Sequence, residues 1–223
     1  MVVEVFGVNH DRRSGVWAAG VIRRGKPDIV CFEAWAEFMK LFDYFGSGKI
    51  DMVSEDSQWK EVLPLIKWYW NFAMSLLEKE PMIRAAREVG AEPIAIDVSI
   101  GERMHQEGHI HQLKKKDNSF KMRLWFAHRI FQSFSSFAIK PFIRFPSLMN
   151  SLIGKVYFQS TRRLWDALLP ESQWWGLGRE KYMAQRIAEI RNKRESRRIY
   201  VFVGTTHKWS LQELVKHTSS QCA

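Results

Sequence analysis

Two short stretches carry the residue types that could do chemistry. Near the start the chain reads Glu4-Val5-Phe6-Gly7-Val8-Asn9-His10. Near the other end it reads Tyr200-Val201-Phe202-Val203-Gly204-Thr205-Thr206-His207. Each is an apolar strand followed by Gly, two residues and His. A glycine before the histidine allows a sharp exit and a close approach of backbone to a ligand. Carboxylates stand at the ends of two further strand-like runs, Glu33 after Asp28–Phe32 and Asp97 after Pro93–Ile96. Two imidazoles and a carboxylate form a donor set for a divalent cation, and a cation with open positions activates water. The plain alternative is a pair of turn histidines bonded to nearby backbone. Asp97 serves equally well as a helix cap or as a partner for Arg103.

Parallel strands must bring these groups together, because ligands bind outside the carboxyl ends of strands in such sheets. Val2–Phe6, Asp28–Phe32, Pro93–Ile96 and Ile199–Val203 are short apolar runs of the kind buried on both faces. Helical segments lie between them. Ser14 is expected to cap a helix running from Gly15 to about Arg24, with Gly25 as its stop. Helices are also expected over Ala34–Phe45, over 58–78, and from Pro81 to Gly90. Ser99 and Glu102 form a capping box for the next helix. A long helix is expected over Arg179–Lys193, after Gly176 and Gly178, and a closing helix is capped by Ser210. The expected fold is α/β, a mainly parallel or mixed sheet flanked by helices, with the first and last strands as neighbours. Residues 1–223 form one domain, and 104–177 form a helical insertion.

That insertion carries the charge. The chain has a net charge of +10, and residues 103–163 hold 12 Lys/Arg against 2 Asp/Glu. The remainder is neutral. Ten aromatic residues between Phe120 and Phe158 accompany the basic groups. The simple reading is a helical lobe with its own aromatic core; the sharper one is an anionic membrane surface held by 113–163. No nucleic-acid-binding motif is present. No run of 18 uncharged apolar residues and no leader is found, so a cytoplasmic location, with peripheral membrane contact, is expected. Cys31 and Cys222 are not expected to pair. His105, His109 and His111 read as a solvated cluster, and Ser14 near His10 reads as a cap rather than a nucleophile. Homo-oligomerisation stays open.

Several blocks, in order, resemble one family. The opening Val-Phe-Gly-x-x-His leads to Lys26-Pro27-Asp28-Ile29-Val30 and Glu33. Ile83-Arg84-Ala85-Ala86-Arg87-Glu88-Val89-Gly90-Ala91 then precedes Ile94-Ala95-Ile96-Asp97. Gly178-Arg179-Glu180-Lys181-Tyr182-Met183-Ala184 and Val203-Gly204-Thr205-Thr206-His207 follow. Together they resemble the TraB/PrgY family, grouped with the Tiki metalloproteases and the GumN, ChaN and erythromycin-esterase-like (EreA) proteins. The resemblance implies His10 and His207 as metal ligands, Glu33 as ligand or general base, and Arg179 as an anion or oxyanion stabiliser, with Asp97 as a possible additional ligand. It implies a divalent metal (Mn, Co or Zn) and a hydrolase acting on a peptide or small-molecule substrate. The alternatives are a non-catalytic peptide- or pheromone-binding protein and a metal- or haem-binding protein. The Asp-Arg pair usual after the third strand is Asp97-Val98 here, and 104–177 matches no block.

Overall fold

The structure is a computed structural model that describes residues 2–9, 11–46, 70–134, 146–193 and 198–220. Four strands form one sheet: β1 (Val2–Val8), β2 (Ile29–Trp35), β3 (Glu92–Asp97) and β4 (Arg198–Gly204). Their order is β1-β4-β2-β3 and every pairing is parallel. Val2 pairs with Arg198 and Val8 with Gly204, so the two ends of the chain do lie side by side. β4 separates β1 from β2.

Both faces of the sheet are covered, which is why its strands are apolar runs without strict alternation. Helices α1 (Arg12–Gly25), α2 (Phe38–Gly46) and α3 (Trp70–Glu88) cover one face. There Ala18, Ile22, Val30, Phe32, Phe38, Met82, Ile83 and Phe202 form a buried cluster. Between β3 and β4 come α4 (Ile100–Lys116), α5 (Asn118–Phe134), α6 (Pro146–Met149), α7 (Leu152–Leu168) and α8 (Pro170–Lys193). The helix α9 (Thr205–Ser220) follows β4. On the second face α8 and α9 bury Met183, Ile187, Leu211 and Val215 against Ile29, Cys31, Val201 and Val203.

Local signals are overridden at several points. Asp11, not Ser14, caps α1: its Oδ1 accepts from Ser14 N at 2.7 Å. The left-handed residue closing α1 is Lys26 (φ 44°), and Gly25 is needed instead for packing. A Cβ there would lie 2.1 Å from the Tyr200 hydroxyl. Pro81 lies inside α3 rather than opening a helix. The burial of Met82, Ile83, Ala85 and Ala86 offsets a cost of about 3 kcal/mol for an interior proline. Gly176 and Gly178 lie within α8, and Ser210 within α9, which starts directly after the strand. The helix expected over 58–78 falls mostly outside the described residues, and the one expected over Ala34–Phe45 starts only at Phe38 and runs to Gly46.

In the inserted helices Phe120, Ala127 and Leu169 bury one another, with Leu124, Trp165 and Leu168 packed around them. Met122, Trp125, Phe126, Leu152, Ile153 and Val156 are exposed. No helix among the described residues is long and apolar enough to cross a membrane.

Candidate functional site

The carboxyl ends of the strands meet α8 and α9 at a buried charge cluster. Glu33 sits inside β2, with its carboxylate turned to the α8/α9 side. Its Oε2 accepts from the backbone N–H of Gly204 at 2.6 Å, at the point where β4 becomes α9. A carboxylate is favoured there by the N-terminal end of the helix. Its Oε1 accepts from Arg179 Nη2 at 2.8 Å. Arg179, on α8, also donates through Nε to Asp97 Oδ1 at 3.1 Å, and through Nη2 to Asp97 Oδ2. Asp97 closes β3, and its Oδ1 accepts from Val98 N at 2.8 Å. The guanidinium is 4 % exposed and its carboxylate partners 8 % and 2 %. Burial alone would push the Arg179 pKa down. The charge of Glu33, and the hydrogen bond and charge of Asp97, outweigh that and hold it above the ordinary arginine value.

His207 lies in the first turn of α9, so the second Gly-x-x-His reads as strand end, then helix start. Its Nδ1 is 2.8 Å from Glu180 Oε1, and its Nε2 is 3.8 Å from Glu33 Oε1. Glu180 follows Arg179 on α8 and is fully buried. Arg162, from α7, donates Nη1 to Glu180 Oε1, to Thr206 O at 3.3 Å and to Ser210 Oγ at 3.2 Å. The other Glu180 oxygen, Oε2, is buried and has no hydrogen-bond partner among the described residues. A cleft of about 280 Å³, lined by Gln159, Arg162, Arg163, Asp166, Leu177 and Ser210, opens over Arg162. A carboxylate beside Nδ1 orients the imidazole, as the outer partners of metal-bound histidines do, and Nε2 faces Glu33.

The end of β1 lies beside this cluster. Gly7 is within the strand, not at its exit. A Cβ there would stand 3.2 Å from Thr205 Cγ2 and 3.3 Å from Lys208 Cδ. Asn150, in the turn after α6, reads the Gly7 backbone from both sides: Oδ1 accepts from Gly7 N at 2.8 Å and Nδ2 donates to Gly7 O at 3.1 Å. Lys208 donates Nζ to the same Oδ1 at 2.8 Å and lies 3.8 Å from the Trp209 ring centroid. Burial pushes its pKa down to about 8. Thr205 Oγ1 donates to Val8 O at 3.0 Å, and Asn9 N to Ser14 Oγ at 3.2 Å.

Of the residues expected at the site, Glu33, Asp97, Arg179 and His207 converge. Asp97 is the partner of Arg179. His10 lies outside the described residues, although Val8, two positions before it, pairs with Gly204. Glu180 and Arg162 are additions that no motif singled out. His105 and His109 are exposed on α4, and the side chain of His111 is not among those described.

Among the described residues no group of three His, Cys, Asp or Glu side chains is close enough together to hold a metal ion. Two donors do fit one. Ligands each about 2 Å from a common ion stand roughly 3–4 Å apart, which matches His207 Nε2 and Glu33 Oε1. Comparisons of the chain with known protein families, with curated proteins and with solved structures return no significant match.

Proposed function

We propose that the chain is a metal-dependent hydrolase of the TraB/PrgY and Tiki type that acts on peptides, with a fold of the EreA/ChaN kind. The observation that carries it is the line Glu180–His207–Glu33: a buried carboxylate 2.8 Å from Nδ1, and Nε2 3.8 Å from a second carboxylate. His207 Nε2 and Glu33 Oε1 would hold a Mn, Co or Zn ion together with His10. The ion, when bound, lowers the pKa of water and polarises a carbonyl. Arg179 holds the Glu33 and Asp97 carboxylates in fixed orientation and places its guanidinium 2.8 Å from Glu33. Glu33 either ligates or takes a proton from the attacking water. Arg162 and Glu180 keep the imidazole in one tautomer.

A second reading is a non-catalytic peptide- or pheromone-binding protein, or a metal- or haem-binding protein without turnover. It is favoured by the commitment of both Glu33 oxygens to Arg179 and Gly204, which occupies the lone pairs that a ligand or base would use. The exposed Met122, Trp125 and Phe126 beside lysines and arginines also support peripheral contact with an anionic membrane.

Metal analysis of protein purified without an affinity tag is the test, with thermal shift on adding manganese, cobalt or zinc. Bound metal that disappears in His207→Ala supports the site. Absence of metal together with absence of any shift ends the hydrolase reading. Metal without cleavage of a peptide library favours the second.

A further inference from the structure

We infer that the outer edge of β3 binds an extended peptide as an additional strand, which names the substrate class of the hydrolase proposed above and rests on that reading for its link to catalysis. β3 is the last strand of the sheet, with β2 on one side and no strand on the other among the described residues. Glu92 N donates to Asp28 O at 3.0 Å, toward β2. Strand alternation then turns the backbone of Pro93 and Ala95 outward. Proline has no N–H, so between Glu92 and Ile96 the edge, which no strand covers among the described residues, offers the carbonyls of Pro93 and Ala95 and the N–H of Ala95.

A groove of about 360 Å³ runs along this edge. Ala36 and Met39 bound it on one side of the sheet; Tyr182, Arg186 and Ile190 of α8 bound it on the other. A backbone row of donors and acceptors between two walls with apolar side chains is what an extended chain needs. Main-chain bonds supply affinity, and the walls receive alternate side chains. A small molecule has no use for that row, and a helix satisfies its own backbone. From Pro93 to Asp97 the edge is about 13 Å long at roughly 3.3 Å per residue. The groove ends on Asp97, the carboxylate bonded to Arg179, which in turn holds Glu33. A peptide laid along β3 is therefore delivered to the charged cluster.

The probe is a fluorescein-labelled octapeptide of Leu, Val and Thr, measured by fluorescence polarisation. Two further versions carry N-methyl groups on alternate backbone amides, in the two possible phases. The parent peptide is expected to bind. One phase should weaken binding about tenfold or more and the other much less, because only one set of amides faces β3. Ala95→Pro removes the outward donor at the middle of the edge without touching the β2 ladder and should cost about tenfold. Tyr182→Ala, at an exposed position, should weaken binding several-fold and serves if Ala95→Pro does not fold. The inference is overturned if the parent peptide fails to bind at about 1 mM, if both methylation phases act equally, or if the folded variants bind like the parent protein. Cleavage is read in the same samples: binding with the phase difference but no cleavage in added metal leaves the edge site standing and ends the hydrolase reading.

Discussion

Glu180 Oε1 lies 2.8 Å from His207 Nδ1 and accepts from Arg162 as well. The imidazole is thereby oriented by a carboxylate that is itself held from a third helix. Glu180→Gln should keep the fold yet lower metal affinity about 10–100-fold, as loss of such outer partners does. Titration of the purified protein with zinc or manganese checks this. Unchanged affinity would remove Glu180 from the site.

Arg179 bridges two buried carboxylates at once. Arg179→Ala leaves Glu33 and Asp97 buried without the guanidinium they share and should destabilise the fold by about 3–5 kcal/mol. Urea denaturation gives the number. A loss below about 1 kcal/mol would mean that water reaches the pair and that the cluster is open.

Lys208 gives a pH signature. Its folded pKa, about 8, is below the ordinary 10.5. Between those values the unfolded chain binds more protons, so this group's contribution makes stability rise with pH from about 8 to 10.5, while its cost is fully present below 8. Lys208→Met should be relatively most stable near neutrality, and its advantage over the parent should shrink across that window. Parallel stability curves would show that Lys208 is not desolvated in solution.

Two glycines should respond in opposite directions. At Gly15 a Cβ would sit 2.0 Å from the Glu78 carbonyl oxygen, where α1 crosses α3. Gly15→Ala should cost about 1–3 kcal/mol. Gly178, inside α8, has nothing within 4 Å of its Cβ position. Gly178→Ala should add about 0.5–1 kcal/mol. Thermal melts of the two variants test the helix crossing and the continuity of α8 together.

For the basic insertion, flotation with anionic liposomes is the measurement. Binding should fall as salt is raised through about 0.15 M. Trp125→Asp should weaken it further. Salt-insensitive binding would contradict an electrostatic contact.

The four strands and the polar groups at their ends were legible because buried parallel strands are apolar runs with few neighbours that resemble them. Glu33, Asp97 and His207 could be placed on one rim for that reason, with His10, whereas Arg179, on a helix, was pointed to only by the family resemblance. Glu180 and Arg162 could not. Their partnership with His207 spans three helices, and each looks like an ordinary charged residue on a helix. Helix limits failed where distant packing decides: Pro81 is tolerated by the core beneath α3, and Gly25 is selected by the Tyr200 ring rather than by backbone conformation. Asp11 and Ser14 both suit an N-cap, and only the bond from Ser14 N to Asp11 separates them.

The position of β4 has a consequence for how the protein is made. Its strand fills the slot between β1 and β2, yet the ribosome delivers it after both of them and after the inserted helices. Until it arrives the nascent chain carries a lone β1 and a two-stranded β2–β3 sheet with a bare inner edge, the condition that invites chaperone capture or misassembly. Nonsense mutations upstream of Arg198 would therefore remove the keystone from a nearly complete molecule, not trim its margin.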